Sequence, residues 1–179
     1  MTVSVKAPTS TTGSIQLNGS DVLTIDSSGN VTAPNKLIST GHVLQVVQGS
    51  TNTQVNTTST SYVSTSLTAS ITPSSTTSKI LVNVSSSTII TNTAKIVYST
   101  IYRGATNLGG GNQSALNLTR PDNAANAWQW VPLTMNYLDS PSTTSSTTYT
   151  LYFKVQTGGS GYVCHPDMLS TITLIEVAG

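Results

Sequence analysis

SYVSTSLTASITPSSTTSKILVNVSSSTII (61–90) decides how the chain folds. Its first part alternates: Tyr62, Ser64, Ser66 and Thr68 fall on one face, Val63, Thr65, Leu67 and Ala69 on the other. A period of two is that of a strand with one buried face. Ile71-Thr72-Pro73-Ser74-Ser75 supplies turn residues. In KILVNVSSSTII (79–90), Ile80, Val82 and Val84 again share a face. The pattern is strand, turn, strand, with nothing of helical period.

The same reading extends outward. HVLQVVQ (42–48), AKIVYSTIYRG (94–104), AWQWVPLTMNYL (127–138), TTYTLYFKVQ (147–156) and STITLIEV (170–177) are further strand candidates. In 147–156, Tyr149, Leu151, Phe153 and Val155 point the same way. Connections rich in Gly, Ser, Asn and Pro separate them: Gly109-Gly110-Gly111, read as a flexible loop, Pro121-Asp122-Asn123, 141–146 and 158–161. Strong helix formers are sparse, and Ser, Thr, Asn and Gly interrupt every window. Strands so spaced predict an all-β protein, an antiparallel β-sandwich with a jelly roll of about eight strands over 41–179. Residues 1–40 are too short and polar to bury a core alone. They read as an extended N-terminal arm. It carries a short hairpin in SIQLNGSDVLTI (14–25), where Asn18-Gly19 is a strong hairpin signal.

Composition narrows the function. Of 179 residues only 7% are charged, and the formal net charge is +1. Roughly a third are Ser or Thr, far above ordinary usage. Such a chain offers neither the basic footprint of a nucleic-acid binder nor a polybasic membrane patch. No run approaches the ~18 apolar residues of a membrane span. MTVSVKAPTSTTGS (1–14) lacks the apolar stretch of a signal peptide. These features predict no nucleic-acid partner, no membrane insertion, and synthesis in a cytoplasm. With few charges to guard strand edges, the expected state is a homo-oligomer.

No constellation points to catalysis. Cys164-His165-Pro166-Asp167 is the densest reactive group. It lacks the ligand count of a zinc site, and extended neighbours face opposite ways, so it reads as a loop entering the last strand. Cys164, the one cysteine, excludes an internal disulfide and reads as a buried hydrophobe. The carboxylates Asp21, Asp26, Asp122, Asp139, Asp167 and Glu176 could furnish a glycosidase pair only if two faced one bond. Asp122 and Asp139 sit in turn contexts, where Asp serves geometry. No nucleophile elbow, P-loop or dinucleotide fingerprint is present. The expectation is a non-enzyme with no cofactor, no metal and no catalytic residue. Asn-X-Ser/Thr triplets recur, from Asn18 to Asn117, as chance matches in so hydroxyl-rich a chain.

The aromatic residues carry the binding candidates. Trp128 and Trp130, at i and i+2 on a strand, share a face. Exposed, they form a stacking platform for a sugar, with Tyr102, Tyr137 or Asn136. Buried, they belong to the core or a trimer contact, since aromatics dominate both. Arg103 and Arg120 have few acidic partners and are candidates to bridge subunits, to Asp122, Asp139 or a backbone carbonyl.

Two sets of phrases resemble known proteins. GSIQLNGSDVLTIDSSGNVTAP (13–34) resembles the segment before the distal domain of tailed-bacteriophage fibre proteins. GHVLQVVQGSTNT (41–53), TSTSYVSTSLTASITPSSTTSKILVNVS (58–85) and TITLIEVAG (171–179) resemble their distal β-domain. The resemblance implies a homotrimer with a jelly-roll or tumour-necrosis-factor-like knob on a virion. It carries no catalytic motif, and 104–146 departs most from it. Two roles follow as expectations. One is a capsid decoration (cement) protein, its residues 1–40 anchored on the major capsid protein or another virion protein. The other is the distal knob of a tail fibre or tailspike, binding host cell-surface polysaccharide. The short arm favours the first, because a fibre needs a docking domain and a shaft as well.

Overall fold

The computed structural model describes residues 4–6, 13–17, 20–25, 28, 31–32, 40–90, 95–120 and 129–179. The chain divides into two compact units, Met1–Ser39 and Thr40–Gly179. In the first, β1 (Ser4–Lys6), β2 (Gly13–Leu17), β3 (Ser20–Ile25) and β4 (Val31–Thr32) form an antiparallel sheet in chain order. The expected hairpin is β2 with β3, with Leu17 opposite Ser20. That register leaves two residues for the connection; Asn18 and Gly19 themselves lie outside the described residues.

The second unit contains β5 (Val43–Thr51), β6 (Val55–Thr57), β7 (Val63–Ile71), β8 (Lys79–Ile90), β9 (Val97–Arg103), β10 (Thr106–Asn107), β11 (Asn117–Thr119), β12 (Gln129–Asp139), β13 (Thr147–Val155), β14 (Gly161–Val163) and β15 (Ser170–Val177). All pairings are antiparallel. Several short strands are pieces of longer ones. β14 and β15 both pair with the same strand, β8, at Thr88–Ile90 and Lys79–Ser85. Their outer neighbours are β6 and β5. Likewise β10 and β11 share one partner, β9.

Counting each such pair as one position gives eight in chain order. One sheet then runs 1-8-3-6 (β5/β6, β14/β15, β8, β12) and the other 2-7-4-5 (β7, β13, β9, β10/β11). This is the jelly-roll arrangement of two Greek keys. We call the sheets A and B. The expected eight strands are therefore found, three of them broken in two.

The core lies between the sheets. Leu67, Ile101, Tyr149, Leu151 and Phe153 of sheet B meet Ile80, Val82, Leu133, Ile172 and Leu174 of sheet A, all fully buried. The alternation read in 61–71, 79–84 and 149–155 is the alternation seen. Cys164 is buried with them, its Sγ accepting a contact from Ser86 Oγ at 3.6 Å, and burial pushes its thiol pKa up. Gly49 marks the closest approach of β5 to β7: a Cβ there would strike the Thr68 carbonyl.

Two buried acids seal the sandwich. Asp139 of β12 accepts from Arg103 Nη1 at 2.9 Å on both oxygens and from the Tyr149 hydroxyl at 2.7 Å, joining the two sheets. Burial, then the bond to Asp139, drives the Tyr149 phenol pKa far up, so it stays a donor. Glu176 of β15 is fully buried. It accepts from the Ser74 N–H and hydroxyl at 2.7 Å and from Gln45 Nε2 at 2.6 Å. Burial opposes its charge, but donors from Ser78, Gln45 and Ser74 outweigh burial and hold its pKa at about 2.

Candidate functional site

Tyrosines gather on the outer face of sheet B. The alternation that turns Val97, Ser99 and Ile101 toward the other sheet turns Tyr98, Thr100 and Tyr102 to the opposite side of β9, where Tyr98 and Thr100 are nevertheless buried and Tyr102 is half-buried. On β13 it turns Thr150, Tyr152 and Lys154 outward, with Lys154 opposite Tyr98 and Tyr152 opposite Thr100. Tyr102 stacks on Tyr152, ring centroids 4.0 Å apart. Tyr62, just before β7, meets Tyr102 edge-on at 6.1 Å. Lys154 Nζ sits 4.7 Å from the Tyr62 ring centre and 5.4 Å from that of Tyr98, within cation–π range.

Tyr62 reaches from the β7 edge to the loop between β10 and β11. Its hydroxyl lies 3.0 Å from the carbonyl oxygens of both Gln113 and Ser114. Burial, then its neighbours Tyr102 and Tyr98, push its pKa up to about 12, so it remains a phenol and a donor. The loop is internally fastened too. Asn107 Oδ1 accepts from Thr100 Oγ1 at 2.6 Å and the Gly109 N–H at 2.8 Å, and Asn107 Nδ2 donates to the Ser114 carbonyl at 3.0 Å. Gly110 bridges Ala115, and Gly111 adopts φ +70°, a conformation glycine tolerates. The Gly109-Gly110-Gly111 loop expected to be flexible is instead hydrogen-bonded from both sides. Its glycines serve close approach and a tight turn, not looseness.

Two adjoining hollows result. One, of about 220 Å³, is lined by Tyr98, Gln113, Lys154, Gln156 and neighbouring threonines. The other, of about 310 Å³, is lined by Tyr98, Asn112, Gln113, Leu116, Asn117 and Leu118 among others. Tyr98 and Gln113 belong to both.

The residues singled out from sequence do not form one platform. Trp130, 44% exposed, stands on the outer face of β12 in sheet A, against the His165 ring at 3.6 Å, edge to face. Tyr137, seven residues on, falls on the opposite side of the strand and packs on the core. Tyr102 lies on sheet B, with Tyr152 and Tyr62 for company. Trp128 lies outside the described residues, as does Asp122. Arg103, read as a bridge between subunits, bonds Asp139 inside the chain. Arg120 is exposed just beyond β11. In the Cys-His-Pro-Asp stretch, His165 Nδ1 accepts the Asp167 N–H at 3.1 Å, a local turn contact. Among the described residues no group of three or more His, Cys, Asp or Glu could hold a metal ion. Of the carboxylates, Asp139 and Glu176 are taken up by the buried clusters above. Tyr98, Tyr62, Tyr152 and Lys154 were not singled out. The signal was available: Tyr98 and Tyr102 at i, i+4 and Tyr152 and Lys154 at i, i+2 must share faces, once those faces are known to be the outer ones.

The outer face of sheet A is different. In one row across it, Val46, Ile175, Leu81 and Leu138 are in register on four neighbouring strands. Val46 is 59% and Leu138 52% exposed. Val43 and Val177 pair in the next row, which ends in Lys79. The rows on the other side are polar: Gln48, Thr173, Asn83 and Asn136, then Ser50, Thr171, Ser85 and Thr134.

No family model matches the chain, and no curated protein does. Solved structures show a loose likeness. T=1 particles derived from infectious bursal virus are 11% identical, over 93% of this chain and 45% of that one, with a TM-score of 0.40. The VP2 subviral particle of infectious bursal disease virus is 13% identical over 94% and 47%, again at 0.40. The Gx strain of that virus gives 13%, 94% and 48%, and 0.40. The chain spans less than half the length of each, and likeness at this level carries no argument about function. The class the molecule itself defines is an all-β jelly-roll sandwich.

Proposed function

We propose that the chain is a non-enzymatic structural protein of a virion surface, a homotrimeric decoration protein that binds and reinforces the outer capsid of a tailed bacteriophage. The observation that carries it is the apolar row Val46–Ile175–Leu81–Leu138 on sheet A. A contiguous apolar patch on a sheet face marks an interaction surface, and Lys79 stands at the end of the neighbouring row. Copies of the same chain are its occupants in this reading, with residues 1–40 binding the major capsid protein or another virion protein. The phrases shared with phage fibre proteins supply the virion setting, with synthesis in the host bacterial cytoplasm.

The test is sedimentation of the full chain beside the double variant Val46→Asp, Leu138→Asp. Trimers for the native chain, and monomers of unchanged circular dichroism for the variant, are expected. A native chain that stays monomeric at tens of micromolar overturns the assembly reading. Mixing native trimers with capsids stripped of decoration tests the placement: absence of binding overturns it. Loss of binding is also expected when residues 1–40 are removed. The alternative role, a distal knob binding host polysaccharide, is favoured by exposed Trp130 beside His165. Retained cell binding by Trp130→Ala removes that site.

A further inference from the structure

The hollows on sheet B have a composition that selects one chemistry. Their shared floor is Tyr98, and carboxamides of Asn112, Gln113, Asn117 and Gln156 stand around it. Lys154 Nζ enters between the rings of Tyr62 and Tyr98. No carboxylate is paired with Lys154 among the described residues: Asp139 bonds Arg103, Glu176 bonds Ser74 and Gln45, and Asp167 lies beside His165.

Each component suits part of a sugar. Aromatic surface fits the C–H faces of a pyranose ring, and carboxamides both donate to and accept from vicinal hydroxyls. A lone ammonium on ring faces has lost hydration there and welcomes an anion. Two adjoining compartments suit consecutive rings of a chain better than a single small ion. The rim is set in advance, because Asn107 and Tyr62 fasten the loop carrying Asn112 and Gln113; pre-ordering lowers the cost of binding.

We propose that this cleft binds an acidic oligosaccharide. A uronic-acid-type carboxylate pairs with Lys154, the neighbouring ring lies against exposed Leu118 and the uncovered edge of the otherwise buried Tyr98, and the carboxamides of Gln113 and Asn117 hold its hydroxyls. The proposal goes beyond the virion reading and does not depend on it, since the site lies within one chain.

The test is calorimetric titration of the full chain with tetragalacturonate, its fully methyl-esterified form, and inorganic phosphate. Esterification keeps the rings and removes the charge. The acid tetramer is expected to bind at submillimolar concentration and the ester at least 10-fold more weakly. Lys154→Gln is expected to lower acid affinity to that of the ester while leaving ester binding unchanged. Asn112→Ala, at an exposed position, is expected to weaken both tetramers severalfold and supplies a second variant. Absence of tetragalacturonate binding overturns the proposal, as does equal affinity for acid and ester. Phosphate binding as tightly as the tetramer overturns it too, by reducing the site to a simple anion contact. Because the readout is ligand affinity, failure here leaves the sedimentation result untouched, and the reverse.

Discussion

The two outer faces of the sandwich are built from strands of the same kind, yet they present opposite surfaces. Sheet A offers a row of aliphatic side chains across four strands, Val46, Ile175, Leu81 and Leu138. Sheet B offers tyrosines and a lysine beneath a fastened loop, leaving a cleft. An exposed apolar face suits a complementary protein surface, whereas a concave one with convergent polar groups suits a small ligand. The two proposals thus place assembly and recognition on opposite sides of a shared core.

That separation requires the core to hold both sheets in one frame, which the Asp139 cluster does. Asp139→Ala has the largest expected effect. It leaves the Arg103 guanidinium and the Tyr149 hydroxyl without their acceptor. Breaking a buried pair in this way costs roughly 3–5 kcal/mol. The low end, about 3 kcal/mol, is expected here because the Arg103 side chain keeps 28% of its exposure. Calorimetry would show the melting temperature falling by about 10 °C. Both faces fail together, since neither exists without the frame. Loss of one face's activity alone would show that the faces are not coupled through this cluster.

Glu176 gives the next effect, and its sign follows from its depressed pKa. Its folded pKa of about 2 lies below the ordinary 4.5. Its contribution is therefore whole above the ordinary value and is lost as the pH falls from about 4.5 through 2. Urea unfolding at pH 7, 4 and 2.5 would show the decline. Glu176→Gln keeps the shape but not the charge. It is expected to cost about 2 kcal/mol at pH 7, as for a charged hydrogen bond, and to flatten the dependence over that range. A slope unchanged by this substitution would assign the acid sensitivity elsewhere.

Sequence reading was strong where one face is buried and weak where both are not. The limits of β8 and β15 were legible at 79–90 and 170–177 because β-branched and aliphatic residues dominate both segments and alternation is clear at Ile80, Val82 and Val84 and at Ile172 and Leu174. β6, β10, β11 and β14 were not, being two or three residues long. Their placement comes from partners distant in sequence, and a pattern of period two needs more residues than that to appear. Asp139 was among the partners read for Arg103, but across subunits; that the two meet within one chain depends on β9 and β12 facing each other across the two sheets. The tyrosine cleft was missed for a related reason. The inward set Tyr149, Leu151, Phe153 and Val155 drew the reading of 147–156, and the outward set Tyr152 and Lys154 gains meaning only from Tyr98 and Tyr62, brought beside it by pairing and by a side chain crossing the sheet.

Tyr62→Phe sharpens the contrast from the side of sheet B. The ring stays in place against Tyr102 while its hydrogen bonds to Gln113 and Ser114 are lost. Water can reach these half-exposed carbonyls, so the cost stays near 1 kcal/mol. The effect is expected to be local. Amide exchange should quicken in residues 108–116 and remain unchanged in β15. Uniform quickening across the domain would mean that Tyr62 supports the whole sandwich and not the loop.

Modest effects on stability make the most discriminating pair. Val46→Ser lies at an exposed position, where changes usually stay within about 0.5 kcal/mol; Lys154 is half-buried, and Lys154→Gln gives up its contacts with the Tyr62 and Tyr98 rings, worth about 0.5–1 kcal/mol each. Each is expected to alter one property. Val46→Ser weakens self-association in sedimentation and leaves tetragalacturonate affinity as it was; Lys154→Gln does the reverse. The two sites share no side chain and lie on opposite sides of the core, so the double variant should show the sum of the two single effects. A non-additive result would require a path through the sandwich linking its faces. The shared frame at Arg103, Asp139 and Tyr149 would be the first place to seek it, because it is where β9 and β13 of sheet B grip β12 of sheet A.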